Sequence, residues 1–124
     1  MPALVIATRH RGADLPQDSP MPLLSRRRVI GAQMMISEVT LQKGSDVPLH
    51  SHANEQMTCV LRGCLRFTFG EGDGRAMDVT AGQVSHLPSG VPHAALALED
   101  TVVLDLFSPP SATTGIDGPA GASA

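Results

Sequence analysis

The sequence predicts an all-β domain of short strands, and three observations carry that expectation. The chain of 124 residues holds 12 glycines and 10 prolines, a dense supply of turns. The apolar residues between those turns fall in short runs of β-branched residues and leucine, or alternate with polar ones, as Leu65, Phe67 and Phe69 do with Arg66 and Thr68. No stretch sustains the 3.6-residue periodicity of an amphipathic helix.

Residues 1 to about 20, with Pro16 and Pro20, have no sustained pattern and read as an extended arm able to cross onto a partner subunit. The first strand is expected over Val29 to Gln42, broken or bulged near Gly31, with Met34, Met35, Ile36, Val39 and Leu41 facing the core. A turn at Lys43 to Asp46 precedes Val47 to Ser51, and Met57 to Leu61 is a buried strand ending at the Arg62-Gly63 turn. Leu65 to Phe69 leads into a glycine-rich hairpin loop, Gly70 to Gly74. That loop is no phosphate cradle, because Glu71 and Asp73 repel phosphate and no helix follows. Met77 to Thr80, Val84 to Leu87, Ala94 to Leu98 and Thr101 to Phe107 complete the strands, and a Gly/Ala/Ser-rich tail follows Pro109 and Pro110. The domain organisation is therefore an arm over 1–25, one barrel over 26–110 and a mobile tail over 111–124.

A chain of this length supplies one core and leaves no room for a second catalytic domain. The net charge of -3 argues against nucleic acid, and the basic triplet Arg26-Arg27-Arg28 reads as a solvated strand end. With three Phe and no Trp or Tyr, platforms for stacking bases or sugar rings are scarce. No apolar stretch reaches the roughly 18 residues of a membrane span, and the apolar run Ala3 to Ala7 is too short for a signal peptide, so the expected compartment is the cytoplasm. In that reducing compartment Cys59 and Cys64 are expected to be packing residues.

His50, His52 and Gln56 fall within one short segment, and alternation along a strand points the two histidines the same way. That is half of a metal site, and the turn at Pro88-Ser89-Gly90 brings a further imidazole, His93. Three imidazoles and a neutral amide oxygen do not cancel the charge of a divalent ion. It remains a strong Lewis acid with positions open to water or substrate. The ligand types suit zinc, nickel, iron, manganese or copper. His86 has the parity of Val84 and is expected beside the site in a supporting or packing role, whereas His10 has no supporting pattern. Asp105 lies within the apolar run Val102 to Phe107, where a charge is costly without a partner or purpose. It is either a proton carrier beside the metal or a structural aspartate paired with an arginine or a turn.

The spacing Gly44, five residues, His50-x-His52, three residues, Gln56, six residues, Gly63 resembles the first motif of the cupin superfamily, with Gln56 in the place of a glutamate. Gly82, five residues, Pro88-x-Gly90, two residues, His93 resembles the second, with Ala97 where the motif ends in asparagine. The resemblance implies a double-stranded β-helix, a jelly-roll barrel of two antiparallel sheets, with the metal on His50, His52, Gln56 and His93. Glu55 falls off the motif and has the wrong parity, which leaves it an exposed or supporting group.

The segments H-S-H-A-N-E-Q and L-E-D-T-V-V-L-D-L-F-S-P-P also resemble the small cupins of the pectin degradation protein F type, which linearise unsaturated uronates. That resemblance implies Asp105 as the catalytic group, Phe107 at the substrate and a sugar acid as substrate, and it stops after Pro110, where this chain reads Ser111-Ala112-Thr113-Thr114. The expected function is metal-dependent ring opening or tautomerisation of an unsaturated uronate or related sugar acid. The alternatives are a cupin dioxygenase, a polyketide cyclase, or a small-molecule sensing module without turnover. A homodimer is expected, because small cupins expose a hydrophobic sheet face.

Overall fold

The computed structural model describes residues 5–70 and 74–111, and the expected tail from Ala112 and the centre of the Gly70 to Gly74 loop lie outside them. Among the described residues, a 3-10 turn at Gly12–Asp14 precedes ten strands: β1 Gln17–Met21, β2 Leu24–Ile30, β3 Met35–Leu41, β4 Asp46–His50, β5 Glu55–Arg62, β6 Cys64–Thr68, β7 Ala76–Thr80, β8 Val84–Leu87, β9 His93–Ala97 and β10 Thr101–Ser108. They form two antiparallel sheets, one of six strands in the order β1-β2-β3-β10-β5-β8 and one of four in the order β4-β9-β6-β7.

The inward faces follow from alternation. In β3 burial strictly alternates, and Met35, Ser37, Val39 and Leu41 all point inward. Val39, Val60 and Val103 meet Leu65, Phe67, Val79 and Ala95 of the other sheet in one apolar core. Removing such side chains from water is the main force closing the two sheets on each other. The turn glycines hold φ values that side chains rarely adopt, and at Gly63 (φ 92) space is also exhausted. A Cβ there would stand 2.5 Å from the Asp100 carbonyl oxygen and 2.7 Å from the Thr101 Cα. The β5–β6 turn therefore packs directly on the start of β10.

Two expectations are corrected at the N-terminal end. The strand foreseen over Val29 to Gln42, broken or bulged near Gly31, is two antiparallel strands, β2 and β3, and the break is a full turn in which Gly31 N–H donates to the Met34 carbonyl at 2.8 Å. The arm is not free either, because β1 pairs with β2 and the six-stranded sheet starts at Gln17, before residue 26. The basic triplet is the reason. Arg26 is not at a solvated strand end but only 3% exposed. Its Nε and Nη2 donate to the Asp18 carboxylate at 3.0 and 2.9 Å, and Arg28 adds a contact at 3.6 Å. A buried guanidinium needs a carboxylate, and β1 supplies it. The ion pairs hold the Asp18 carboxyl below the ordinary carboxylate range, the hydrogen bond from Arg26 being the largest cause.

Candidate metal centre

His50 ends β4 and His93 begins β9, and the two are register partners in the four-stranded sheet. Strict alternation from buried Val47 would turn His50 outward. The β4–β9 register shifts between Val47 and His50, and this bulge leaves both residues facing inward. His52 lies in the connection between β4 and β5. That connection is tied to the Pro88-Ser89-Gly90 turn, where Gly90 N–H donates to the His52 carbonyl at 2.9 Å and Ser89 Oγ to the Ala53 carbonyl at 2.7 Å. Gly90 holds φ 82, the left-handed value that the third position of such a turn requires.

One nitrogen from each of His50, His52 and His93 lies within 4.8 Å of one from each of the others, and all three residues are buried. Each Nδ1 faces a backbone carbonyl: Pro48 for His50 at 2.8 Å, Asn54 for His52 at 3.0 Å and Val91 for His93 at 2.9 Å. A carbonyl only accepts, so each Nδ1 carries the ring proton and each Nε2 presents a lone pair. Burial lowers the pKa of His50, and takes that of His93 down to about 4. Both rings are then neutral and able to ligate at neutral pH.

Gln56, inward on β5, could add an amide oxygen to the three imidazoles. Its Oε1 lies 3.0 Å from His52 Nε2, while its Nε2 donates to Thr58 Oγ1 at 2.9 Å and approaches Asp105 Oδ1 at 3.4 Å. The amide oxygen and the imidazole lone pair are thus two acceptors turned toward each other. A cation between them removes that mismatch, so the donor set fits a divalent transition ion held by His50, His52, His93 and Gln56.

Asp105 and Phe107 share the inner face of β10, opposite Thr58 and Gln56 of β5. Thr58 Oγ1 donates to Asp105 Oδ1 at 2.5 Å. Burial pushes the Asp105 carboxyl up to about 6, against the hydrogen bonds from Thr58 and Gln56, which lower it. The Phe107 ring stands edge-on to His52 with centroids 5.7 Å apart. Asp105, Phe107, Gln56, His50 and His93 line one cavity whose remaining wall is apolar, formed by Leu24, Val39, Leu41, Val47, Leu65 and Phe67 among others.

His86 is not beside this cavity. Val84 and His86 share a parity, but it is the outward one, and His86 Nε2 pairs with Glu55 Oε2 at 2.7 Å on the exposed face. A single strand's alternation cannot say which of its two faces is the inner one. Cys59 also lies off the site, and both cysteines are free thiols. Two residues escaped the sequence reading. Thr58 shares the parity of Gln56, a signal available in the sequence. Asn54 is buried, its carbonyl accepting from His52 and its Nδ2 donating to the Pro109 carbonyl, a contact across 55 positions that no local pattern announces.

No curated protein matches the chain in sequence. Solved structures do match its fold. An RmlC-like cupin from Shewanella frigidimarina superposes with a TM-score of 0.75 at 23% identity, covering 83% of this chain and 91% of that one. KdgF from Halomonas sp. superposes at 0.78 and 22% identity, covering 88% and 99%. The oxalate decarboxylase of Bacillus subtilis, described with Mn(II) centres, superposes at 0.73 and 23% identity, with 86% of this chain covering 30% of that one. Such identities speak for the fold alone. The cupin domain family matches residues 37–107, from inward-facing Ser37 on β3 to Phe107 at the end of the site. With two antiparallel sheets closed around three converging imidazoles, this chain belongs to the cupin family.

Proposed function

We propose that this cupin is a metal-dependent enzyme that opens and tautomerises the ring of an unsaturated uronate or a closely related sugar acid. One observation carries the reading: Asp105, a carboxyl group with a pKa near 6, sits within 3.4 Å of the amide that completes the metal donor set. Metal ligands and an acid/base group thereby border one cavity. The likeness of fold to KdgF and the resemblance of the H-S-H-A-N-E-Q and L-D-L-F segments support the substrate class.

The bound ion supplies Lewis acidity toward a substrate oxygen. Asp105 takes the hemiacetal hydroxyl proton as the ring C–O bond breaks to leave a carbonyl and an enolate. It then delivers that proton to the enolate carbon, giving the ketone, so one carboxyl accepts and returns one proton. Phe107, edge-on to His52, packs against the substrate and keeps water from that side.

The test is incubation of metal-replete protein with 4,5-unsaturated galacturonate. The ultraviolet absorbance of the substrate's conjugated C4=C5 double bond is expected to disappear as an open-chain keto product forms, followed by nuclear magnetic resonance. An unchanged substrate, together with iron in protein purified without added metal and consumption of oxygen, would establish a dioxygenase instead. The apolar wall of the cavity favours one second reading, a cyclase acting on a polyketide-like substrate with one chelating end. Turnover of a poly-β-ketone and not of the uronate decides for it. Tight binding of either compound without turnover would mark a sensing module.

We also propose a homodimer formed through the outer face of the six-stranded sheet. Register places Ile36, Leu106 and Met57 in one outward row and Leu104, Cys59 and Val84 in the next. Ile36, Met57 and Val84 are 36, 44 and 59% exposed. A second copy would cover this apolar face. Sedimentation at micromolar concentration is expected to show twice the chain mass, and a monomer would refute it.

A further inference from the structure

We infer that Thr58 is a positioning residue that sets which end of the Gln56 amide faces the three imidazoles. The inference rests on the metal-centre reading and concerns a residue outside the donor set. The two ends of a glutamine amide are nearly equal in size, so hydrogen-bond partners decide its orientation. The single hydroxyl proton of Thr58 is engaged by Asp105 Oδ1 at 2.5 Å. Toward Gln56, 2.9 Å away, the Thr58 oxygen therefore offers only a lone pair. Only the amide NH2 can face it, and Asp105 Oδ1 at 3.4 Å makes the same demand. The amide oxygen is then turned to the imidazoles, 3.0 Å from His52 Nε2.

The flipped amide would set its oxygen against the Thr58 and Asp105 oxygens. Thr58 is 0% exposed, so water does not replace its hydroxyl. Register supports the same function, because Thr58 stands directly opposite Asp105 on β10 and two residues along β5 from Gln56, on the same inward face. The β5–β10 pairing thus holds the threonine, the carboxyl and the amide in one chain of hydrogen bonds.

Cobalt(II) is the probe, through a chelator competition for affinity and the visible d–d spectrum for ligand set. Thr58→Val keeps the shape and removes the hydroxyl, and it is expected to bind Co(II) about 10-fold or more weakly, with a shifted spectrum. Thr58→Ser is expected to restore most of the affinity and the parent spectrum. In a Gln56→Ala background, Thr58→Val should weaken binding no further, because its effect passes through the amide. Should Thr58→Val not fold, Thr58→Ala removes the same hydroxyl and carries the same expectation. A folded hydroxyl-free variant with the parent affinity and spectrum overturns the inference, as does an equal loss in the Gln56→Ala background. A wild-type protein that takes up no Co(II) overturns the metal-centre reading itself.

Discussion

His52→Ala is expected to abolish stable binding of a divalent ion and reduce turnover below detection. The four donors come from the end of β4, the following connection, β5 and β9, and His52 is the one that no strand holds. Its direction is set by the Asn54 carbonyl on Nδ1 and by the Phe107 edge, and its Nε2 is turned to Gln56 Oε1. Without it two imidazoles and one amide remain, too few for tight binding, and the amide loses the ring it faces. The fold is expected to survive, because residues 51–54 lie outside the strands and the core cluster contains no member of that segment. Elemental analysis beside circular dichroism checks both statements. A folded His52→Ala protein retaining a full equivalent of metal would refute the ligand assignment.

Asp105→Asn is expected to lower turnover by about 100-fold or more, the usual order for loss of a general acid/base, while metal content is kept. Asparagine preserves the shape and an oxygen that can accept from Thr58, but it cannot take up and return a proton. The pH dependence of stability gives an independent sign. Burial raises the folded-state pKa of Asp105 to about 6, above its ordinary value of 3.8, so the folded state favours the protonated form. The stability that this preference contributes is full below the unfolded value and is lost as pH rises through the folded one. Asparagine has no such loss. Metal-free Asp105→Asn should therefore gain in melting temperature relative to the parent as pH rises from 4 to 7. If Asp105 were only a scaffold, the variant would melt earlier at every pH while the folded fraction kept its rate. Melting curves at both pH values and turnover on the same sample decide.

How much of this was legible in the sequence differs residue by residue. From Met35 to Phe107 the strands appeared close to where the apolar runs put them, because one face of each is buried and a one-residue slip would turn every apolar side chain outward. Met34 and Ile36, expected in the core beside Met35, are exposed instead, because alternation admits only every second residue to the inner face. The glycine and proline positions around the histidines marked turns, and Gly63 and Gly90 do hold left-handed backbone. Alternation failed where the backbone departs from it or where one face must be chosen over the other. The bulge that turns His50 inward, and the outward face of β8 that carries His86 to Glu55, have no local signature. The β1–β2 hairpin was missed because the next inward position after Leu24 on β2 is an arginine, and a charged residue reads as solvated until its partner is known. Asp18, eight positions away, is that partner.

The sequence by itself determined the all-β class and the residues able to hold a metal, since side-chain type and turn-forming spacing are local properties of a chain. Only the tertiary structure decided how those residues act together. The chain of contacts from Asp105 through Thr58 to Gln56 joins side chains 49 positions apart and runs on to His52. It exists because β10 lies beside β5, and the partners of a strand are chosen by the packing of the whole barrel. The pKa of Asp105 likewise belongs to the fold, because it reflects burial and neighbours that an isolated run of apolar residues does not contain.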